Sequence, residues 1–195
     1  MVRSIDRLLG TLTRTVHVLQ DNDIPCAVTG DCAVYARGGP VTGPQSEVDV
    51  LLRPADVTRG LSLLAAAGLR PPLKTADTER TTLYDRDIRV DLVFRPNYRP
   101  VTDALLARAE RLPIGSIAAP VVTVADFLVD ELTVSDPQRV DFTRLLNIAR
   151  ELRAQVDWER VRRETAGSPY ARAFLGLLDD LGITDGRSER GSPAV

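Results

Sequence analysis

The chain has 195 residues, 44% of them hydrophobic and 27% charged, which is enough to bury a core without disulfide or metal staples. A net charge of -2 excludes a global basic field for holding nucleic acid. No stretch approaches the roughly 20 apolar residues that span a bilayer, and MVRSIDRLLG lacks a signal-peptide apolar run, so a cytoplasmic protein with no membrane partner is expected. Of the 25 basic residues only Lys74 is lysine, so any phosphate-binding cation elsewhere must be an arginine or a backbone amide. Cys26 and Cys32 fit no common zinc spacing and His17 is remote from both in sequence; reduced, inert thiols and a structural histidine are expected.

In chain order, Ser4 reads as an N-cap. Ile5, Leu8, Leu9, Leu12, Val16 and Leu19 then fall on one helical face, which Asp21-Asn22-Asp23 ends. IPCAVTG reads as a short buried strand ending at Gly30, and DCAVYARGG as a short helix stopped by Gly38 and Gly39. GGPVTGPQ is a Gly/Pro-rich loop. In the next segment, EVDVLLRP, Val48, Val50 and Leu52 alternate with Glu47, Asp49 and Leu51, so a strand here puts both acids on one face.

Pro54 to Ala67 reads as a helix with Gly68 as its stop. Arg80 to Tyr84 and Ile88 to Phe94 read as a hairpin turning at Asp85-Arg86-Asp87. Residues 111 to 122 give a weak signal, a short strand or a turn. Helices are expected over Val124–Val134, Arg139–Gln155, Trp158–Glu164 and Tyr170–Leu181, with Leu145, Leu146, Ile148, Ala149 and Leu152 as a packing stripe and Trp158 and Tyr170 as packing anchors. The expected fold class is therefore α/β (α+β), a small mixed sheet with flanking helices followed by a helical C-terminal subdomain. The expected division is 1–120 as the α/β core, 121–183 as a helical subdomain packed on it, and 184–195 as a disordered tail.

Two carboxylates two residues apart on a strand repel each other, and a divalent cation relieves that repulsion; oxygen ligands of this kind suit magnesium or manganese. Asp91 interrupts the apolar strand IRVDLVF, where a carboxylate is costly to bury unless paired or metal-bound. If its strand lies beside that of Glu47 and Asp49, the three acids converge into a site suited to in-line phosphoryl chemistry.

The order Val28-Thr29-Gly30-Asp31, a short helix, Glu47-Val48-Asp49 and then Val90-Asp91-Leu92 resembles the nucleotidyltransferase superfamily, which includes polymerase-β-like enzymes, minimal nucleotidyltransferases and abortive-infection-type toxins. ARGGP, VDLVFRP and the stretch from Leu146 to Phe174 are similar to a bacterial subgroup of it, so the resemblance spans roughly residues 5 to 182.

The resemblance implies a sheet and helices of nucleotidyltransferase type and a metal-dependent transfer of a nucleoside monophosphate from an NTP to an RNA (tRNA-like) or protein acceptor. It implies Glu47, Asp49 and Asp91 as catalytic acids and as ligands for Mg2+ or Mn2+. Gly30, Asp31 and Arg37 would bind the nucleotide, with Arg53, Arg95 and Arg139 as further candidate cations and Asp141 as an acid near the cleft. It leaves open a toxin-like role with an antitoxin partner. Three positions differ from the family pattern: Asp31 replaces Ser or Gly, Glu47 replaces the first Asp, and Glu131 stands where related toxins carry lysine. They keep a second expectation in view, a catalytically degenerate protein of the same fold acting as a binding or regulatory module.

Overall fold

The computed structural model describes residues 2–40, 47–71, 77–134 and 142–184. Lys74, Arg139, Asp141, the tail from residue 185 onward and residues 41–46 of the Gly/Pro loop lie outside them. The chain divides into two compact units, Met1–Thr123 and Val124–Val195.

The first unit runs α1 (Val2–Gln20), β1 (Cys26–Thr29), α2 (Gly30–Ala36), β2 (Glu47–Leu52), α3 (Val57–Ala66), β3 (Arg80–Asp85), β4 (Ile88–Val93), α4 (Asp103–Ala107), β5 (Glu110–Ile114) and β6 (Ile117–Val121). Among the described residues six strands form one mixed sheet in the order β3-β4-β2-β1-β6-β5. β1 runs antiparallel to β2 and parallel to β6; β2 and β4 are parallel. The hairpins β3–β4 and β5–β6 close the two edges.

Side chains on a strand alternate between faces, and the burial pattern follows that period. Val48, Val50 and Leu52 of β2 are fully buried, whereas the Glu47 side chain is 56% exposed. The apolar face of the sheet is covered by α1 and α3. α1 contributes Leu8, Leu12, Val16 and Leu19, all buried, together with Thr11 and Thr15. Thr11 Oγ1 donates to Asp85 Oδ2 at 2.7 Å and Arg14 pairs with the same oxygen at 2.8 Å, which ties α1 to the β3–β4 turn. α3 approaches closely because Gly60 has no side chain: a Cβ there would meet Leu52 Cδ1 at 3.2 Å and Leu19 Cδ2 at 3.3 Å.

Most expected elements are present with shifted ends. Ser4 is not a cap, since α1 begins at Val2 and Ser4 lies inside it. The helix expected from Pro54 opens as a 3-10 turn over Pro54–Asp56 before α3. The weak segment at 111–122 is the β5–β6 hairpin, turned through Gly115 at φ +60. Pro113 and Pro120 obscure it because proline donates no ladder hydrogen bond; Pro113 is tolerated on β5, an edge strand of the sheet. The small helix α4, capped by the Thr102 hydroxyl accepting from Leu105 N at 3.2 Å, was not anticipated.

The second unit contains α5 (Val124–Leu132), α6 (Phe142–Glu151), α7 (Trp158–Glu164) and α8 (Pro169–Asp180) among its described residues. Leu145, Ile148, Ala149 and Leu152 are buried as the expected stripe, with Leu146 only half-buried. The Phe142 and Phe174 rings lie 5.2 Å apart, and Arg160 pairs with the buried Asp126. Trp158 and Tyr170 are half-buried. No helix among the described residues is long and apolar enough to cross a membrane.

The close approach at Gly60 generates a test. Gly60→Val is expected to cost about 1–3 kcal/mol by overpacking against Leu52 and Leu19. Urea unfolding measures it, and an unchanged midpoint would show that α3 does not seat on the sheet there.

Candidate active site

The site is built on the sheet face opposite α1 and α3. Parallel pairing of β2 with β4 sets Glu47 opposite Arg89 and Asp49 opposite Asp91. Antiparallel pairing with β1 sets Thr29 opposite Asp49, and pairing with β3 sets Thr82 opposite Asp91. Residues opposite one another in a ladder share a face, so Glu47, Asp49, Thr82, Arg89 and Asp91 stand on one side of three adjacent strands.

Gly30 follows Thr29 as the first residue of α2, with φ +64, a backbone region that favours glycine. A Cβ at Gly30 would lie 2.3 Å from Asp49 Oδ2, so the glycine is required by the carboxylate as well as by the turn. Asp31 is half-buried in the first turn of the same helix.

Asp91 is 1% exposed and accepts four hydrogen bonds. Arg89 donates from Nε to Oδ1 at 3.0 Å and from Nη2 to Oδ2 at 2.6 Å; Arg80 Nη1 reaches Oδ2 at 3.2 Å and Thr82 Oγ1 reaches Oδ1 at 2.7 Å. Arg89 Nη1 also reaches Glu47 Oε1 at 3.4 Å. Asp49 differs: among the described residues no hydrogen bond or ion pair reaches its carboxylate. Burial, reinforced by the charges of Asp91 and Glu47, pushes its carboxyl from the ordinary 3.8 up to about 7, with Arg80 and Arg89 pulling the other way.

Glu47 and Asp49 therefore fit a divalent cation: both are oxygen donors on one face, and the charge of Asp49 is otherwise uncompensated by direct contact. Asp91 does not fit as a ligand in this arrangement, because a carboxylate offers about four lone-pair sites and all are engaged. No group of three or more His, Cys, Asp or Glu side chains among the described residues is placed to hold a metal ion.

The structure thus brings Gly30, Glu47, Asp49 and Asp91 together, with Asp31 one residue beyond the glycine. Arg37 is elsewhere: its side chain is 5% exposed, with Nε on Val122 O at 2.7 Å, Nη2 on Val121 O at 3.3 Å and Nη1 on Glu110 at 3.1 Å. It clamps the end of β6 and leaves no guanidinium nitrogen unengaged. Arg53 pairs with Asp56 and Asp103. The cations that meet the acids are Arg80 and Arg89, which sequence reasoning did not single out. The signal for Arg89 was present, since it stands two residues before Asp91 and so shares its face.

Glu131 is paired within the second unit to Arg144 at 3.5 Å, whose guanidinium lies over the Phe127 ring. Cys26 and Cys32 are free and buried. Burial pushes each thiol up to about 12, aided at Cys32 by the charges of Asp49 and Asp31, so neither is a nucleophile at neutral pH. His17 is exposed on α1.

The raised Asp49 carboxyl generates a test of sign. Below about pH 4 folded and unfolded chains are both protonated there and Asp49 costs nothing. Between about 4 and 7 only the unfolded chain releases the proton, so stability falls as pH rises and levels off above 7. Asp49→Asn removes that loss, which is on the order of a few kcal/mol. Unfolding with a chelator present is expected to show the variant gaining on the wild type from pH 5 to pH 8; parallel curves would contradict the shift.

No family model matches the sequence, and no curated protein sequence does either. Solved structures do. The crystal structure of ANT(2")-Ia in complex with adenylyl-2"-tobramycin is similar with a TM-score of 0.60 at 14% identity, over 87% of this chain and 97% of that one. The solution structure of the antibiotic-resistance factor ANT(2'')-Ia gives 0.58 at 14% identity, over 89% and 95%. An antigenic nucleotidyltransferase-like protein from Paracoccidioides brasiliensis gives 0.50 at 14% identity, over 90% and 88%. At such identity the likeness speaks for architecture alone, and that architecture is the one that Gly30, Glu47-Val48-Asp49 and Asp91 resemble: the chain has the nucleotidyltransferase fold.

Proposed function

We propose that this protein transfers a nucleoside monophosphate from a nucleoside triphosphate to a hydroxyl acceptor, with release of pyrophosphate. The observation that carries this reading is the Asp49 carboxyl group, which lies against Gly30 in register with Asp91 and has no hydrogen-bond or ion-pair partner among the described residues. Partly burying an unpaired carboxylate costs stability, and sites that bind ions or perform chemistry are where such costs concentrate. Glu47 and Asp49 would hold one divalent cation, magnesium or manganese. When bound, that ion supplies Lewis-acid polarisation of phosphoryl oxygens.

The chain's own residues do the rest. Gly30 leaves room for the carboxylate at the start of α2. Thr82, Arg80 and Arg89 fix Asp91, and Arg89 brings positive charge beside Glu47. Asp31 lies at the same turn, and Arg89 is the cation that would meet a phosphate beside Glu47.

For the acceptor, ANT(2")-Ia was captured with adenylyl-2"-tobramycin, a nucleotide joined to an aminoglycoside. The near-complete coverage of both chains supports a small hydroxyl-bearing acceptor as one candidate beside an RNA end or a protein hydroxyl. An RNA or protein acceptor would bring the toxin-like role and the antitoxin partner with it. Nucleoside triphosphates are cytoplasmic substrates, which supports a cytoplasmic location. A second reading, a binding module without turnover, draws support from the saturated Asp91 and from Asp31.

Incubation with each labelled nucleoside triphosphate, Mg2+ or Mn2+, and in separate arms total RNA, a protein extract and an aminoglycoside tests the reaction. Labelled acceptor and pyrophosphate are expected in one arm, lost by about a hundredfold or more in Asp49→Ala. Nucleotide binding with no pyrophosphate release in any arm would contradict transfer and favour the binding module.

A further inference from the structure

The superfamily resemblance implies three acids as metal ligands, and the structure disagrees at one of them. Asp91 is the most deeply buried of the three, and each of its oxygens already receives two donors. Two of the four bonds form a bidentate guanidinium–carboxylate pair with Arg89, a charge-assisted pairing stronger than neutral hydrogen bonds. The pair is built into the strand: Arg89 and Asp91 are i and i+2 on β4, and β2 sets Glu47 directly opposite Arg89. The guanidinium thus spans Asp91 and Glu47, the position from which a second cation would neutralise both.

We infer that Arg89, clamped by Asp91, is a built-in second cation of this site, so that the site takes a single divalent ion at Glu47 and Asp49 and meets the nucleotide's phosphates with a guanidinium. The inference rests on the proposed nucleotidyl-transfer reading. An arginine has five N–H donors. Among the described residues three of those on Arg89 are engaged, leaving one on Nη1 and one on Nη2, and the side chain is 36% exposed. That is the fork geometry that suits phosphate oxygens. Asp91 is then a positioning residue that holds Arg89 rather than a ligand. Arg80, 27% exposed, makes a single longer contact to the same carboxylate, at 3.2 Å. This also explains how the chain works with one lysine in its whole length: the cation it needs is supplied from β4.

The test counts ions and measures anion affinity, so it needs no turnover. Mn2+ alone is titrated into the full chain by calorimetry, with electron paramagnetic resonance to count bound ions, and tripolyphosphate is titrated separately. Wild type is expected to bind one Mn2+. Asp91→Asn should keep that affinity within about twofold, and Asp49→Asn should weaken it about tenfold or more. Arg89→Gln should free Asp91, admit a second Mn2+ and weaken tripolyphosphate binding by about tenfold, with Arg89→Lys recovering part of that loss. Zero or two ions in the wild type, loss of Mn2+ binding in Asp91→Asn, or unchanged tripolyphosphate affinity in Arg89→Gln would overturn the inference. If Asp91→Asn does not fold, the wild-type count and Arg89→Gln, whose side chain lies nearer the surface, decide it. Failure of nucleotidyl transfer to every acceptor would defeat the proposed reaction while leaving these counts standing.

Discussion

Everything at the candidate site depends on the register of β2 against β4, which sets Asp49 directly opposite Asp91. Like charges facing each other across a ladder destabilise a sheet, and burial strengthens the repulsion. The fold resolves the conflict unevenly. Asp91 receives two arginines and a threonine, while Asp49, with no hydrogen-bond partner among the described residues, receives the space that Gly30 leaves beside it. One carboxylate has every oxygen met by direct hydrogen bonds, and the other, its carboxyl pushed up to about 7 by burial, is left for an external cation.

That asymmetry needs a rigid frame. The opposite face of the same strands is apolar, with Val48, Val50, Val90 and Leu92 fully buried. A one-residue slip of β2 would turn Val48 and Val50 out and Glu47 and Asp49 inward, so the hydrophobic pattern that specifies the sheet also specifies the placement of the two acids. α1 and α3 seat on that face, and the Thr11 and Arg14 contacts to Asp85 anchor the hairpin whose second strand carries Asp91. Packing on one side of the sheet thereby fixes charge on the other.

Much of this was legible in the sequence. The alternation through EVDVLL put Glu47 and Asp49 on one face, and a lone Asp in the apolar run IRVDLVF marked Asp91 as a special position. The mixed sheet, its β3–β4 hairpin and the later helices followed from the periodicity. What was hidden depended on which strands neighbour which. Arg80 and Thr82 meet Asp91 only because β3 pairs with β4 in the observed register, and a single strand's pattern carries no such information. Arg37 was one of four candidate arginines, and its length lets it reach the carbonyls of Val121 and Val122, 84 and 85 residues away in sequence. The β5–β6 hairpin was masked by Pro113 and Pro120, whose effect depends on whether a strand lies at a sheet edge.

On the proposed reading Asp49, and not Asp91, is the acid left for a cation. A crystal soaked in Mn2+ and measured at the manganese edge tests it most directly. One anomalous peak is expected, contacted by Glu47 and Asp49, with Arg89 still paired to Asp91. A peak coordinated by Asp91 with the Arg89 side chain swung away would contradict it.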